Sequence, residues 1–382
     1  MPITQKVIQW RHHLHQHPEF GFEETKTAAF IAEKLNEFGV EVHQNIGKTG
    51  VVGILRNGTS QRSIGLRADI DALKIEEQND FAHSSTHKGM MHACGHDGHT
   101  TMLLGAAHEL AKNPNFDGTV YFIFQPAEEH GLGAKAMIAD GLFTRWQIDA
   151  VYGMHNLPGL DAGHFAIRPH FIMASESNFE IDILATGGHA AMPHRYTDPM
   201  VVGAQIVTAL QTIVSRNLSV TEEAAVLSVT EFITNGTVNV VPSHVKIKGD
   251  TRCYTDATLQ KIEAAMKRIV AGQCLSAGVD YKFKISTSFA TTVNTATETT
   301  QAIAAATKVV GAAKVNGNCA PITFSEDFAF MLDKVKGCYI LIGNGFGGNC
   351  GQPLHNAHYD FNDGILMTGV RYWVALVEGE LK

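Results

Sequence analysis

Apolar and polar residues in the first third of the chain follow two spacings, one helical and one strand-like. Apolar residues recur at helical spacing over Val7–Phe38, with a break near His17 and Pro18, and again over Thr100–Asn113. Short strands, two of them continuous apolar runs typical of buried parallel strands, are predicted at Ser63–Asp69, Thr119–Phe124 and Ala150–His155. This alternation predicts α/β layering.

The middle of the chain carries a different pattern. Alternating apolar and polar residues, as in half-buried strands, are interrupted by two amphipathic helices. The predicted order is strand, helix, strand, strand, helix, strand, at Asn178–Ala185, Pro199–Asn217, Ala225–Ile233, Val245–Arg252, Leu259–Ala277 and Tyr281–Thr287. That order is the ferredoxin-like split βαβ arrangement.

After Thr292 the first pattern returns, with a helix over Thr300–Val310, a buried strand over Cys338–Gly343 and a closing helix over Asp363–Glu380. We therefore predict an α/β fold with two domains. Residues 1–174 and 292–382 form a discontinuous α/β domain with a mixed central sheet. Residues 175–291 form an inserted, ferredoxin-like α+β lid.

Length and composition agree with this architecture. A chain of 382 residues is too long for one ordinary core, and 45% hydrophobic with 18% charged residues is a globular mixture. The formal net charge of -8 argues against nucleic acid or an anionic membrane as a partner. No apolar run is long enough to span a bilayer and no secretory segment is recognisable at the N-terminus, so we expect a cytoplasmic protein.

The densest cluster of potential metal ligands is the segment MHACGHDGHT, residues 91–100. No bulky side chain separates Cys94 from His96, so the thiolate and the imidazole can converge on one cation. The glycines allow a tight loop, and the helix predicted from Thr100 favours a thiolate through its N-terminal field. Two alternatives remain: a structural loop with a buried cysteine, and a thiol hydrolase with Cys94 as nucleophile and His96 or His99 as its base.

Further candidate ligands follow predicted strands. Glu128 and Glu129 come directly after TVYFIF, and adjacent carboxylates face different directions. One of them can bind a metal while the other accepts a proton from water. His155 ends the strand AVYGMH, and His355 lies in a loop rich in glycine and asparagine. Open α/β sheets place their sites at the carboxyl ends of strands, so the joint occurrence favours a metallohydrolase over a solvated acidic turn and two structural histidines.

The inserted domain carries three more candidates. His189 lies in GGHAAMPH, where it could reach a substrate carbonyl oxygen or be a solvated histidine in a glycine-rich turn. Asn239 begins NVVP, which precedes a strand that ends at Arg252. A guanidinium suits bidentate binding of a carboxylate, but from composition alone a surface ion pair explains Arg252 better.

Together these motifs resemble the aminoacylase, hippurate hydrolase and auxin-conjugate hydrolase family of co-catalytic zinc metallopeptidases. The resemblance covers nearly the whole chain and rests on RHHLHQHPEFGFEE, LRADIDAL, MHACGHDGHT, FQPAEE, GMHN, GGHAAMPH, NVVP, SEDF and LHN. It implies metal-dependent hydrolysis of an N-acyl amino acid, such as an acetyl or benzoyl amino acid, to a carboxylate and a free amino acid. It also implies that the lid contributes to a homodimer or a higher homo-oligomer.

The resemblance also implies a role for each matching position. Two divalent metal ions, zinc first with manganese, cobalt or nickel as alternatives, would be held by Cys94, His96, Glu129, His155 and His355. Glu128 matches the general base. In the lid, His189 matches a histidine that stabilises the oxyanion, Asn239 a residue that holds the scissile carbonyl, and Arg252 a position for the substrate carboxylate.

Some neighbouring positions are not predicted to bind metal. Asp69 stands where distant relatives have a histidine ligand, so we do not assign it as one, and Asp71 at most orients a ligand. Two rival functions remain. A dipeptidase or carboxypeptidase of the same superfamily would favour free peptides, and a non-catalytic metal- or ligand-binding protein would have no use for Glu128 beside Glu129.

Overall fold

The structure is a computed structural model that describes residues 1–382. Its strands, numbered in chain order, are β1 (Glu41–Ile46), β2 (Gly50–Asn57), β3 (Ser63–Asp69), β4 (Gly118–Gln125), β5 (Ala150–Pro158), β6 (Phe165–Ala166), β7 (His170–Met173), β8 (Ser175–Leu184), β9 (Gly188–His189), β10 (Ala225–Thr234), β11 (Val240–Val241), β12 (His244–Cys253), β13 (Asp280–Phe289), β14 (Thr292–Asn294), β15 (Val315–Asn316) and β16 (Gly337–Gly345). Its α-helices are α1 (Ile3–Gln16), α2 (Thr25–Glu37), α3 (His96–Lys112), α4 (Gly133–Ala139), α5 (Leu142–Arg145), α6 (Pro199–Thr212), α7 (Asp256–Ala277), α8 (Ala296–Val310), α9 (Ala329–Leu332) and α10 (Leu366–Glu380).

The chain forms two units. Unit 1 comprises Met1–Ile172, Thr292–Pro321 and Glu326–Lys382, and unit 2 comprises Met173–Thr291 with the short segment Ile322–Ser325. Both ends of the chain therefore contribute to unit 1. The role of unit 2 as a lid stays a prediction.

Unit 1 is built on an eight-stranded sheet in the order β1-β2-β4-β3-β5-β16-β6-β15. The central strands β4, β3, β5 and β16 are parallel. β1 is antiparallel to β2, β2 is antiparallel to β4, and β6 is antiparallel to β16 but parallel to β15. The predicted α/β fold with a mixed central sheet is thereby confirmed.

The core of unit 1 explains why its central strands are apolar along their whole length. Leu66 of β3 and Phe122 of β4 belong to one cluster with Met102 of α3 and Trp373 of α10, each at most 1% exposed. Burying one such side chain stabilises the fold by about 1.5–3 kcal/mol. Since β3, β4 and β5 are parallel, the residues at their carboxyl ends meet at one edge of the sheet.

Unit 2 contains a four-stranded antiparallel sheet in the order β10-β12-β8-β13, with α6 and α7 packed on it. In the order of the chain these strands are the second, third, first and fourth, as in the split βαβ arrangement. On β8, Phe179, Ile181 and Ile183 are buried while the residues between them are not. Their side chains share a core with Ile206 of α6 and Met266 of α7.

Several local features differ from the sequence predictions, among them the start of α8 at Ala296 and not at Thr300. Helix α3 begins at His96 and not at Thr100, because Gly95 with a φ of 97° starts it directly after Cys94. Helix α6 ends at Thr212 and continues as one π-helical turn over Ile213–Asn217. The antiparallel pair β1 and β2 was not predicted, because the exposed and half-exposed positions of β1 give it no clear apolar period.

Candidate metal centre

Cys94, His96 and His155 converge at the carboxyl edge of the unit 1 sheet. The Cys94 Sγ lies 3.4 Å from the His155 Nε2, and all three side chains are buried. Their ligand atoms lie within 4.8 Å of one another. Gly95, between the first two, allows this approach: a Cβ there would lie 2.2 Å from the Asn156 Oδ1, in addition to requiring a positive φ.

The two imidazoles present the same nitrogen to the cluster. The His96 Nδ1 lies 3.0 Å from the Asp71 Oδ1 and 3.0 Å from the Asp71 carbonyl oxygen, and since both accept, Nδ1 must be the donor. The His155 Nδ1 likewise donates to the Asn156 carbonyl oxygen at 2.7 Å. Each ring therefore keeps its Nε2 lone pair for a metal, as oriented histidine ligands do.

Glu128 and Glu129 occupy a strained turn after β4. Ala127, immediately before them, has a φ of 47°, a left-handed conformation that is rare for a residue with a Cβ. The backbone N–H of Ala127 donates to the buried Glu24 carboxylate at 2.8 Å, and the N–H of Glu129 donates to the Asp71 Oδ2 at 3.1 Å. This anchoring turns the two glutamates in different directions.

Glu129 links the cluster to the C-terminal part of the chain. Its Oε2 lies 3.4 Å from the His355 Nε2, and its Oε1 lies 3.9 Å from the His96 Nε2. His355 has a φ of 64°, and its backbone N–H donates to the Ala93 carbonyl oxygen at 2.8 Å. That hydrogen bond places the loop directly beside Cys94, although the His355 side chain is 52% exposed.

Glu128 lies between the ligands and a second group of carboxylates. A carboxylate oxygen of Glu128 lies within 4.8 Å of potential ligand atoms of His96 and Glu129. One of its oxygens also lies within 4.8 Å of carboxylate oxygens of Glu326 and Asp327. Burial, followed by the charges of Glu326 and Glu129, raises the pKa of Glu128 well above its usual value. A carboxylate with a raised pKa accepts a proton more readily, which is a property that a general base needs.

The donor set fits divalent metal ions. Cys94, His96 and His155 form one triad, and Cys94, Glu129 and His355 form another that shares the thiol. The His96 Nε2 and the Glu129 Oε1 are buried without a hydrogen-bond partner, which is costly unless a further group binds them. Although burial opposes it, the Asp69, Asp71 and Glu129 carboxylates raise the pKa of His96 to about 10. The location therefore favours a positive charge, which a metal ion at Nε2 would supply in place of the second ring proton.

Asp69 and Asp71 contact the imidazoles from outside. The His99 Nδ1 donates to the Asp69 Oδ1 at 2.6 Å, while the His99 Nε2 lies 2.7 Å from the Asn156 Oδ1 and 3.1 Å from the Asn156 backbone nitrogen. Both nitrogens of His99 are therefore used within the protein. The contact of Asp71 with the His96 Nδ1 is that of an orienting residue, as the sequence suggested.

Of the three candidates in unit 2, His189 and Asn239 lie next to each other, and Arg252 lies on a different strand. His189 of β9 is paired with Val240 of β11, which places it beside Asn239, and the Ala190 N–H donates to the Asn239 carbonyl oxygen at 3.0 Å. The Ala191 N–H donates to the His189 Nδ1 at 3.1 Å, and the imidazole is otherwise exposed.

Arg252 has all three guanidinium nitrogens in use within unit 2. It contacts Glu176 at 2.7 Å, Asp250 at 2.8 Å and the Ser325 Oγ at 2.8 Å. A substrate carboxylate would have to displace one of these partners. The geometry is that of the ion pair that the sequence left open as the alternative.

Sequence reasoning missed several residues of the centre. Arg67 was read only as part of a strand, and Glu326 and Asp327 appeared within the motif SEDF without a role. Tyr359 also lies here, within hydrogen-bond distance of the Asn156 Nδ2 at 2.6 Å. A charged residue inside an apolar strand was the available signal for Arg67, because a buried arginine requires acidic partners.

Comparisons with known proteins agree with the site. Residues 65–379 match the model of peptidase family M20/M25/M40. The hippurate hydrolase of Campylobacter jejuni is 38% identical over 372 residues, with 97% of this chain and 96% of that protein covered. The N-acyl-L-amino acid amidohydrolase of Geobacillus stearothermophilus is 40% identical over 294 residues, with 76% and 79% covered.

Among solved structures, the Bacillus subtilis YXEP protein, described as a dinuclear metal-binding peptidase of the M20 family, superposes with a TM-score of 0.86. It is 29% identical, and 99% of this chain and 98% of that chain are covered. The chain belongs to peptidase family M20/M25/M40 and is a hydrolase, which confirms the family predicted from its motifs. None of its helices combines the length and apolar character needed to cross a membrane.

Proposed function

We propose that this protein hydrolyses the amide bond of N-acyl amino acids with the help of two divalent metal ions. The observation that carries the proposal is the position of Glu128, a buried carboxylate beside the ligand atoms of His96 and Glu129. A protein that only bound metal would have no need of a buried carboxylate there. The proposed metal ligands are Cys94, His96, Glu129, His155 and His355.

The chemistry assigned to the chain's own residues begins with Glu128. Bound divalent cations supply Lewis acidity, which acidifies water and polarises a carbonyl oxygen. Glu128 takes one proton from the attacking water as the new C–O bond forms at the amide carbon. It delivers that proton to the leaving nitrogen as the C–N bond breaks, giving a carboxylate and a free amino acid.

Unit 2 is proposed to bind the substrate. His189 would bear the negative charge that develops on the carbonyl oxygen, and its exposed imidazole is accessible for this. Asn239 would help to hold the same carbonyl, which its backbone position beside His189 supports. Binding of the substrate carboxylate by Arg252 stays a prediction that requires an exchange of its present partners.

Zinc is the proposed native metal, because the set of one thiolate, three imidazoles and a carboxylate suits it. Manganese, cobalt and nickel remain alternatives, since each can bind nitrogen and oxygen ligands of this kind. The homodimer, or higher homo-oligomer, and the cytoplasmic location expected from the sequence stay predictions.

Glu128→Gln tests the assignment of the base. We expect bound metal to be retained while kcat falls by about 10²–10⁴-fold, as the loss of a general base does. The substrates are N-acetyl and N-benzoyl amino acids, and free dipeptides in the same panel test the peptidase alternative. Substantial activity of Glu128→Gln would show that the base is misassigned.

Cys94→Ala tests the ligand set, with Cys274→Ala as a matched control. Both thiols are buried, but Cys274 lies on α7 in the core of unit 2. We expect only Cys94→Ala to lose bound metal, measured by elemental analysis after dialysis against a weak chelator. If the enzyme keeps its activity in strong chelator and loses it on thiol alkylation, the thiol hydrolase alternative holds instead.

A further inference from the structure

A buried arginine lies beside the candidate metal centre and contacts acidic residues on two sides of it. Arg67 of β3 is 1% exposed and uses its Nε, Nη1 and Nη2 groups in hydrogen bonds. Nη1 donates to the Asp69 Oδ2 at 2.7 Å, and Nε donates to the Gln125 Oε1 at 2.9 Å. Nη2 donates to the Glu326 Oε1 at 2.8 Å and to the Asp327 Oδ1 at 3.1 Å. In the proposed function, Arg67 neither binds metal nor transfers a proton.

On one side, the arginine contacts residues that lie beside the proposed metal ligands. Asp69 accepts from His99 and lies 3.8 Å from the His96 Nε2. Gln125 is the last residue of β4, and the turn that carries Glu128 and Glu129 follows it directly. Arg67 therefore links the carboxyl ends of β3 and β4, and the second of these leads into the turn with Glu128 and Glu129.

On the other side, the arginine fixes the segment behind Glu128. The Glu326 carboxylate accepts from Arg67, from the backbone N–H of Phe328 at 3.1 Å and from the hydroxyl of Tyr339. With three donors on two oxygens, this side chain has one orientation.

The next residue, Asp327, is fixed in the same way. Its carboxylate accepts from the Gln125 Nε2 at 2.6 Å and from the Ala134 N–H at 2.9 Å. The backbone N–H of Asp327 points at Glu128 and lies 3.4 Å from its Oε1. One oxygen of the proposed base is thereby held from behind, and the other remains available for the reaction.

We propose that Arg67, Glu326 and Tyr339 are positioning residues, which hold the backbone N–H of Asp327 against Glu128 and so fix the direction of the base. The inference rests on the proposed function, because it assigns these residues to the same amide hydrolysis. In the proposed function, none of them is assigned to bind substrate or metal. Their effect is on the geometry of Glu128, for which a displacement of about 1 Å can cost about 10²-fold in rate.

Two substitutions of Glu326 separate positioning from a simple requirement for charge. Glu326→Gln removes the charge but keeps the length, and its amide can still accept from Arg67 and donate to the Tyr339 hydroxyl. Glu326→Asp keeps the charge but withdraws the carboxylate by one methylene. We expect kcat to fall about 10- to 100-fold in Glu326→Asp and less in Glu326→Gln, with KM and bound metal unchanged in both.

Tyr339→Phe is a milder variant that guards against misfolding. It removes one hydroxyl contact with Glu326 and should lower kcat several-fold at unchanged KM. Tyr372→Phe is its matched control, since that tyrosine of α10 is also buried but its hydroxyl has no hydrogen-bond partner. Tyr372→Phe should leave kcat and KM at the wild-type values.

Different results would overturn the proposed function and the positioning role. If the metal-loaded wild type cleaves no acyl amino acid, the proposed function fails. If the wild type is active, the positioning proposal is overturned by either of two results: kcat of folded Tyr339→Phe equal to that of Tyr372→Phe, or Glu326→Gln slower than Glu326→Asp. The measurements are steady-state kinetics, metal analysis and thermal unfolding on the full chain.

Discussion

Glu24 supports the turn that carries the proposed base, and its substitution gives a pH-dependent prediction. The side chain is fully buried, with Oε2 accepting from the Thr49 hydroxyl at 2.6 Å and Oε1 from the Ala127 N–H at 2.8 Å. Burial raises the pKa of Glu24 from 4.5 to about 7, even though these hydrogen bonds oppose the rise. The folded protein therefore holds a proton at Glu24 that the unfolded chain releases.

The sign and size of the effect follow by linkage. The folded pKa lies above the unfolded value, so the stabilisation is fully present below pH 4.5 and is lost as the pH rises towards 7. Each tenfold change in proton affinity is worth about 1.4 kcal/mol, so the wild type loses up to about 3 kcal/mol over this range. Glu24→Gln has no charge to bury, so its free energy of unfolding should not fall over this pH range. Its amide can still accept from the Ala127 N–H and donate to the Thr49 hydroxyl.

Urea unfolding of the chelator-treated proteins between pH 5 and pH 8 measures this difference. Chelation is needed because metal binding is itself pH-dependent. We expect Glu24→Gln and wild type to agree within about 1 kcal/mol at pH 5, and the variant to be more stable by up to about 3 kcal/mol at pH 8. Glu37→Gln, at the exposed end of the same helix α2, is the control. A stability difference that does not change with pH would refute a neutral Glu24.

Three further changes have expected outcomes. Gly98→Ala would place a Cβ 2.3 Å from the buried ring of Phe361, so denaturant unfolding should show a loss of about 1–3 kcal/mol; unchanged stability would mean that the ring moves freely. Asp69→Asn removes a buried partner of the central arginine and should cost about 3–5 kcal/mol by the same assay, and a loss under 1 kcal/mol would contradict the ion pairing. Thr255→Ala deletes the hydroxyl that accepts from the Thr258 N–H at the start of α7 and should cost about 1 kcal/mol without changing kcat, whereas a change in kcat would assign this end of unit 2 to the reaction.

Features set by local periodicity were predictable from the sequence. The strand Ser63–Asp69 has the predicted bounds, and the four strands of the unit 2 sheet are within three residues of their predicted starts. The candidate ligands were found because parallel strands bring their carboxyl ends to one edge of a sheet. Positions such as Glu129 and His155, at or just after the end of an apolar strand, are therefore informative from their place in the sequence alone.

Features set by distant pairing were not predictable. The partners of Arg252 depend on the register of β12 on β8, where Arg252 lies opposite Glu176, and no local pattern specifies that register. The start of α3 at His96 depends on a left-handed glycine, which the sequence suggested only as a flexible loop. The contacts of Arg67 with Glu326 and Asp327 join the first and the last of the three segments of unit 1, so only the folded chain reveals them.

The construction of unit 1 from both ends of the chain has a consequence for biosynthesis. β16 occupies the place beside β5 in the sheet, and the loop with His355 follows it. A nascent chain that has not yet passed Gly337 exposes the edge of β5 and lacks one of the proposed ligands, although Cys94, His96 and Glu129 have long been synthesised. The triad of Cys94, His96 and His155 is therefore synthesised early, whereas the triad that includes His355 is completed only near the end of translation.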